Sequence, residues 1–444
     1  MSWLLRLLLG EGGFGRISVG AAMVIALGGG LGAYYVTTTA PAAGTAHLWV
    51  DQNGGSCIHS ATAIEYTGTG DTNSCSSMDN AYSASGVACG DTINVKGGSY
   101  ASQSLAEVVG LSGCGSDVVI QEAPSEAVTT SNITLGTNNV GPNGYDSNAP
   151  DHIKLIGFGY SGDITMHSDA NFITVDGVAG GSVYIQGATN ITVTNSEFGP
   201  CPSSGGSCGR MHILDAGGEE ATTTSDILIE GNTIHDFLIG QAGEHWECMY
   251  NSGGANVTIR GNIFYNCETY AIMMETYAFS NGYSNWLVEN NWFGRMCNNG
   301  PPNNCNSTRA SAVYPKMARN TLIRFNSFSS GTKVTNEGGT SSNVRVVANI
   351  LGDNVCDAPY TYNYNVFTQA TGCAADANDT ALNLIPYIDD SDQAAMNYHL
   401  EGAVGSTGAD NYVPTSVTDS GLATDFDGQS RPINTNRDAG SDER

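Results

Sequence analysis

Apolar and polar residues alternate at period two in short runs along most of the chain, and six of these runs share one frame. They are Asn190-Ile-Thr-Val, Asp226-Ile-Leu-Ile, Asn256-Val-Thr-Ile, Asn285-Trp-Leu-Val, Asn320-Thr-Leu-Ile and Asn343-Val-Arg-Val. The second and fourth positions are the apolar face of a half-buried strand. Five of the six carry an asparagine six residues after the frame begins (Asn232, Asn262, Asn291, Asn326 and Asn349), and the first has Ser196 there. Asn365, ahead of Val366-Phe367, reads as one more rung. A short apolar run such as Ile263-Phe264 or Trp292-Phe293 follows each asparagine, so the pattern predicts strand, sharp turn, strand.

Successive frames start 36, 30, 29, 35 and 23 residues apart, and earlier frames at His152, Asn171 and Asn190 are 19 apart. A single strand-and-turn circuit with loops of varying length accounts for that range. Asparagine at a repeated turn has a physical reason. It tolerates left-handed backbone, and stacked amides can hydrogen-bond from coil to coil. The expectation is an all-β solenoid with an asparagine ladder. Composition agrees: 57 Gly among 444 residues and only 13% charged residues suit short strands joined by tight turns.

The N-terminus has a different character. Arg6 and Arg16 precede an uncharged stretch, Ile17 to Val36, long enough to cross a bilayer, and Ala40-Pro41-Ala42 offers a cleavage site. Residues 1–46 are therefore read as a signal peptide or membrane anchor with linker, and the rest as secreted or cell-surface. The 12 cysteines all lie beyond this segment, and without CxxC spacing they read as disulfides rather than a zinc site. Cys201/Cys208, Cys248/Cys267, Cys297/Cys305 and Cys356/Cys373 are close pairs. Cys57, Cys75, Cys89 and Cys114 leave three connectivities open.

The repeats, with Leu48-Trp-Val-Asp and Cys89-Gly-Asp-Thr-Ile-Asn-Val-Lys-Gly-Gly-Ser-Tyr100 before them, resemble the pectin-lyase-like superfamily of right-handed parallel β-helices. Thr424-Asp-Phe-Asp-Gly-Gln-Ser-Arg-Pro432 and Asp438-Ala-Gly are similar to that family's closing strand. The resemblance implies one right-handed parallel β-helix over 47–444, with an N-terminal cap at about 47–118, coils at about 119–370 and a closing segment at about 371–444. It also implies that the strand before each frame carries a carbohydrate site. The candidates there are His212-Ile-Leu-Asp215, Glu247-Cys-Met-Tyr250, Ala271-Ile-Met-Met-Glu275, Ala312-Val-Tyr314 and Lys333-Val-Thr335.

Charge sharpens this picture. The net charge of −27 argues against nucleic acid and polyanionic partners, yet Arg295 to Arg345 holds seven basic residues and one acid, Glu337. That island is +6 and the remainder −33. Arg324 and Arg345 fall in frame strands. The other five, Arg295, Arg309, Lys316, Arg319 and Lys333, are candidates for a cationic groove that would hold a uronate or sulfate, or else are ordinary solvated charge. Upstream, Asp215, Glu244, Glu247, Glu268 and Glu275 could hold Ca²⁺, serve as paired carboxylates of a glycoside hydrolase, or simply be solvated. Glu247 and Glu275 are expected to lie close on adjacent strands, with His212, His235 and His245 nearby. His245-Trp246-Glu247 with Tyr250 joins an imidazole, an aromatic platform and a carboxylate.

A closer resemblance is to lyases of the chondroitinase B and alginate lyase type, carried by Lys316-Met-Ala-Arg319-Asn320-Thr321 and Arg324-Phe-Asn326. It implies that Lys316 is a general base. Where those lyases have Arg-His-Gly, this chain reads Asn336-Glu337-Gly338, so the partner arginine has no counterpart. The expected function is thus an extracellular polysaccharide lyase acting by β-elimination. Its catalytic residues would be Lys316, Arg319, His245 and Glu247, with Arg309, Lys333, Trp246, Tyr250 and Tyr314 on substrate and Glu247, Glu275 and Asp215 for a possible Ca²⁺. The alternatives are a glycoside hydrolase and a non-catalytic adhesive β-helix, toward which Met249, Met273 and Met274 in the groove strands point.

Overall fold

The structure is a computed structural model, in which the chain winds as a parallel β-helix. It describes residues 44–444 apart from 109, 137–148, 161, 201–210, 215–223, 238–246, 268, 276–282, 297–310, 330, 336–339, 353–355, 357–358, 369–377, 383–386, 390–395, 402–407, 418–421, 433–434 and 443–444.

Three long parallel sheets of fourteen, twelve and nine strands run along the solenoid. From Thr92 to Val334 each circuit passes from the fourteen-stranded sheet to the twelve-stranded one and then to the nine-stranded one. The coil Asp151–Ile156, Gly159–Tyr160, Asp163–Met166 shows that order. The frames form the fourteen-stranded sheet in matched register, with Ile173 opposite Ile191, Ile191 opposite Ile227, and Ile227 opposite Val257. Their apolar second and fourth positions face a buried core, because parallel stacking leaves each apolar residue only its equivalents above and below to pack on. One frame is shifted from expectation: the coil before Asn190 begins at Phe172, not Asn171, as the pairing of Ile173 with Ile153 requires.

The asparagine ladder is present and longer than the motif alone. Each rung's amide oxygen accepts the backbone N–H of the previous rung, Asn262 from Asn232, Asn291 from Asn262, Asn326 from Asn291 and Asn349 from Asn326, all at 2.9–3.0 Å. Ser196 joins at one end, and Asn365 and Asp379 extend the other. The left-handed backbone sits elsewhere than expected. It falls on the residue just before each rung (Asn195, Gly231, Gly261, Asn290, Phe325, Ala348, Tyr364) and on the frame-opening residues. The ladder amides are therefore selected for hydrogen bonding, not for turn geometry.

The segments outside the coils pack in two different ways. At the N-terminal end a short helix, Met78–Tyr82, buries Met78, Ala81 and Tyr82, with Ser77 as its N-cap. Disulfides Cys57–Cys75 and Cys89–Cys114 resolve the open connectivity around it. A complete circuit already exists at Thr92–Val95, Gly98–Tyr100 and Gln103–Leu105, inside the segment expected to be a cap. Cys248–Cys267 is bonded as expected, Cys356 is also disulfide-bonded, and no described cysteine is free. Cys201, Cys208, Cys297 and Cys305 lie outside the described residues, as do residues 1–43. At the other end the expected closing strand is instead a lateral cover. An antiparallel hairpin, Tyr387–Asp389 with Asn397–Leu400, and the tail pack on the outer flank around Trp292, Phe325, Ala348 and Ile350. Arg431 lies over the Phe325 ring at 4.5 Å, and Gly440 N–H reaches Ala348 O at 2.8 Å.

Candidate functional site on the nine-stranded sheet

All five segments expected to line the site do run in the nine-stranded sheet, in Met211–Leu214, Met249–Ser252, Tyr270–Met274, Ser311–Tyr314 and Lys333–Val334. Alternation divides their side chains between core and surface. Val183, Met211, Met249, Ile272 and Val313 are cross-strand neighbours in one buried row. Met274 is also buried, so two of the three methionines that favoured a neutral groove belong to the core. Asn251 sits in that core with its amide satisfied, accepting from Ile213 N–H and donating to Met273 O.

The outward row is the sheet's chemical face. Thr165, Tyr184, His212, Tyr250, Met273 and Tyr314 follow one another from coil to coil. Ring centroids are 4.6 Å apart for Tyr184 and His212, and 5.4 Å for His212 and Tyr250. Tyr314 is stacked at 4.8 Å by Tyr270 of the preceding strand. Rings held at the coil rise of about 4.8 Å present flat apolar patches. Tyr184 was not expected. Its only sequence signal is an aromatic at the polar phase of Ser182-Val-Tyr-Ile, which looks like any surface strand position.

The charged candidates separate to the two margins of this row. Glu275 and Lys316 lie on one margin and are ion-paired, Lys316 Nζ donating to Glu275 Oε1. The Lys316 ammonium also lies 5.9 Å from the Tyr314 ring centroid. Glu247 and Lys333 are at the other margin: Cys248 N–H bonds Tyr270 O, which sets Glu247 level with Tyr270, and Lys333 pairs with Ser311 opposite Tyr270. Five residues of strand thus separate the levels of Glu247 and Glu275, roughly 16 Å at strand rise. The closeness expected of these two carboxylates is corrected by register. They cannot share one Ca²⁺, which needs several oxygens converging on it, nor form a carboxylate pair of hydrolase spacing.

The basic island is likewise distributed. Arg324 pairs with the buried Glu289 at 2.7 Å, continuing a stack in which Arg260 pairs with Glu230 at 2.6 Å. Arg319 is exposed on the fourteen-stranded sheet, in Ala318–Arg324, one turn beyond Lys316. The lysine expected among arginines instead has a carboxylate as its charged neighbour among the described residues. His235 lies on the twelve-stranded sheet, away from His212, and is held by Asp236 at 2.7 Å and Glu197 at 3.1 Å. Burial alone would lower its pKa, but the hydrogen bonds its ring donates to the two carboxylates outweigh this and raise it above the ordinary histidine value. Asp215, Glu244, His245, Trp246, Glu268 and Arg309 lie outside the described residues.

No family model and no curated protein matches the chain. Among solved structures, it superposes on pectate lyase Pel9A over 89% of this chain and 96% of that one, with a TM-score of 0.50 and 12% identity. The surface adhesin PfbA of Streptococcus pneumoniae matches over 63% of this chain and 73% of its own, at TM-score 0.37 and 10% identity. The alginate lyase AlyGC matches over 67% and 51%, at 0.38 and 12%. At 12% identity the Pel9A superposition shows a shared fold and not a shared chemistry. The likeness to Pel9A is one of fold: the chain is a right-handed parallel β-helix.

Proposed function

We propose that the protein is an exported, polysaccharide-active β-helix that holds an extended glycan along the outward row of the nine-stranded sheet and cleaves it by β-elimination. One observation carries the reading: the continuous row Tyr184, His212, Tyr250, Met273, Tyr314, which ends beside the Glu275–Lys316 pair. The half-buried rings of Tyr184, His212 and Tyr250, at coil spacing, suit successive sugar faces, with the buried Met273 and Tyr314 closing the row toward the Glu275–Lys316 pair, and the disulfides fit an oxidising compartment.

In the lyase step, the Lys316 proton first passes to Glu275. The free amine takes the proton from the carbon next to a uronate carboxylate, and that electron pair forms a carbon–carbon double bond as the glycosidic C–O bond breaks. The Glu275 proton is then available to the leaving oxygen. Arg319, across the turn from Lys316, is the candidate for holding the uronate carboxylate. Because Glu247 and Glu275 do not converge, no step uses Ca²⁺.

The test is incubation with a panel of polyuronates, read by the absorbance of unsaturated products. Lys316→Ala is expected to lower turnover by about 10²–10⁴ with folding intact. Glycan binding without any product, at several pH values, would leave the row as a binding face and remove the lyase step. The ion pair that already occupies Lys316 is the specific observation favouring that second, adhesive reading.

A further inference from the structure

The C-terminal cover brings three ligand-type side chains from separate stretches to one point. His399 belongs to the hairpin strand Asn397–Leu400, Asp427 to the turn bridged by Thr424 and Ser430, and Asp442 to the tail. One ligand atom from each lies within 4.8 Å of the other two. Asp442 is 4% exposed, and its Oδ2 is aimed by the Leu400 N–H at 2.8 Å.

The histidine's hydrogen bonding points independently to a ligand. Asn397 Oδ1 accepts the backbone N–H of His399 at 3.2 Å, which identifies that end of the amide as the oxygen. The same oxygen contacts His399 Nδ1, so Nδ1 must carry a hydrogen, since an amide oxygen only accepts. Nε2 therefore faces Asp427 Oδ2, at 2.6 Å, with either a proton or a cation between them. A ring whose far N–H is anchored on an oxygen, with the other nitrogen directed at carboxylates, is the outer arrangement that metal-ligating histidines use.

We propose that His399 Nε2, Asp427 and Asp442 form a structural divalent-cation site of the zinc type that clips the tail and the 424–430 turn to the hairpin. One nitrogen with two carboxylate oxygens suits Zn²⁺ better than Ca²⁺, which prefers oxygen alone. Ligation opens the Nε2–Oδ2 gap to roughly 3.3 Å, the span across a tetrahedral ion with ligand bonds of about 2.0 Å. The site's effect is to fasten the cover to the flank. Trp292 of the coils meets the edge of His399 at 5.2 Å and stacks on Phe426 at 4.1 Å, while Ser441 N–H bonds Ser327 Oγ at 3.0 Å.

The experiment strips the full chain with a chelator and titrates it with Zn²⁺ by calorimetry, with Ca²⁺ in parallel and thermal unfolding recorded with and without metal. The expected result is one Zn²⁺ per chain whose binding raises the unfolding temperature. Asp427→Asn and His399→Gln should each abolish that uptake and that rise, with circular dichroism confirming that the variants fold. Asn397→Ala, which frees the imidazole tautomer, should weaken binding by about 10- to 100-fold without abolishing it. Absence of stoichiometric Zn²⁺ uptake overturns the site. So does uptake that both ligand substitutions leave unchanged, and so does a preference for Ca²⁺ over Zn²⁺.

Discussion

The corner between the fourteen- and twelve-stranded sheets and the outer face of the nine-stranded sheet are built on the same coil repeat under opposite rules. At the corner, Asn232, Asn262, Asn291, Asn326, Asn349 and Asn365 repeat one residue and one set of bonds. On the face, Thr165, Tyr184, His212, Tyr250, Met273 and Tyr314 occupy one equivalent position with four residue types. A buried amide has only its neighbours to bond with, so every coil must answer the one below it. An outward side chain has solvent or ligand to answer, so each coil is free to differ. Uniformity along a solenoid reports stability, and variety along the same axis reports what the surface is for.

Breaking the uniform corner should have the largest effect. Asn291 donates to Ile259 O, Glu289 O and Asn326 Oδ1, and its Oδ1 accepts from Asn262. Asn291→Ala leaves several buried groups unsatisfied and should cost about 3–5 kcal/mol, measured by urea denaturation. A loss below about 1 kcal/mol would show that the ladder is incidental. On the face, Tyr250→Ala should weaken glycan binding by about 3- to 10-fold, matching one aromatic contact of about 0.5–1.5 kcal/mol, without shifting the urea midpoint. A shift in the midpoint with unchanged binding would reverse the roles assigned to the two regions.

The smallest effect concerns pH. The raised His235 pKa means that its ionic contacts with Asp236 and Glu197 contribute fully below the unfolded value of 6.5 and are lost as pH rises through the folded value. Stability should therefore decline slightly from mildly acidic to mildly alkaline pH. His235→Gln should flatten that slope, and an unchanged slope would exclude His235 as its source.

The legibility of the chain follows the same division. The strand frame and the asparagine offset were readable because repetition multiplies a weak local signal. Phe172 escaped by one position because Asn171, beside it, looks like the frame-opening residue of other coils. The five groove strands were readable as strands, but not which margin each charge would occupy. Turn lengths set that level, so Glu247 and Glu275 seemed adjacent when the strand's length separates them. Nor does the sequence show that Lys316 meets Glu275, 41 residues earlier. Tyr184 and His399 were missed for a related reason: each is a single residue whose meaning comes from partners on other coils or in the tail.

The ladder has one more consequence, which concerns measurement along the molecule. Its rungs are 30, 29, 35, 23 and 16 residues apart in sequence from Asn232 to Asn365, yet each makes its bond at 2.9–3.0 Å. Chain length and axial length are therefore independent variables. Residues added to a circuit travel outward into loops and leave the pitch untouched, so the solenoid behaves as a ruler whose divisions stay fixed however much material hangs from each one. New loops can raise walls beside the nine-stranded sheet without altering the spacing at which its rings are offered to a polymer.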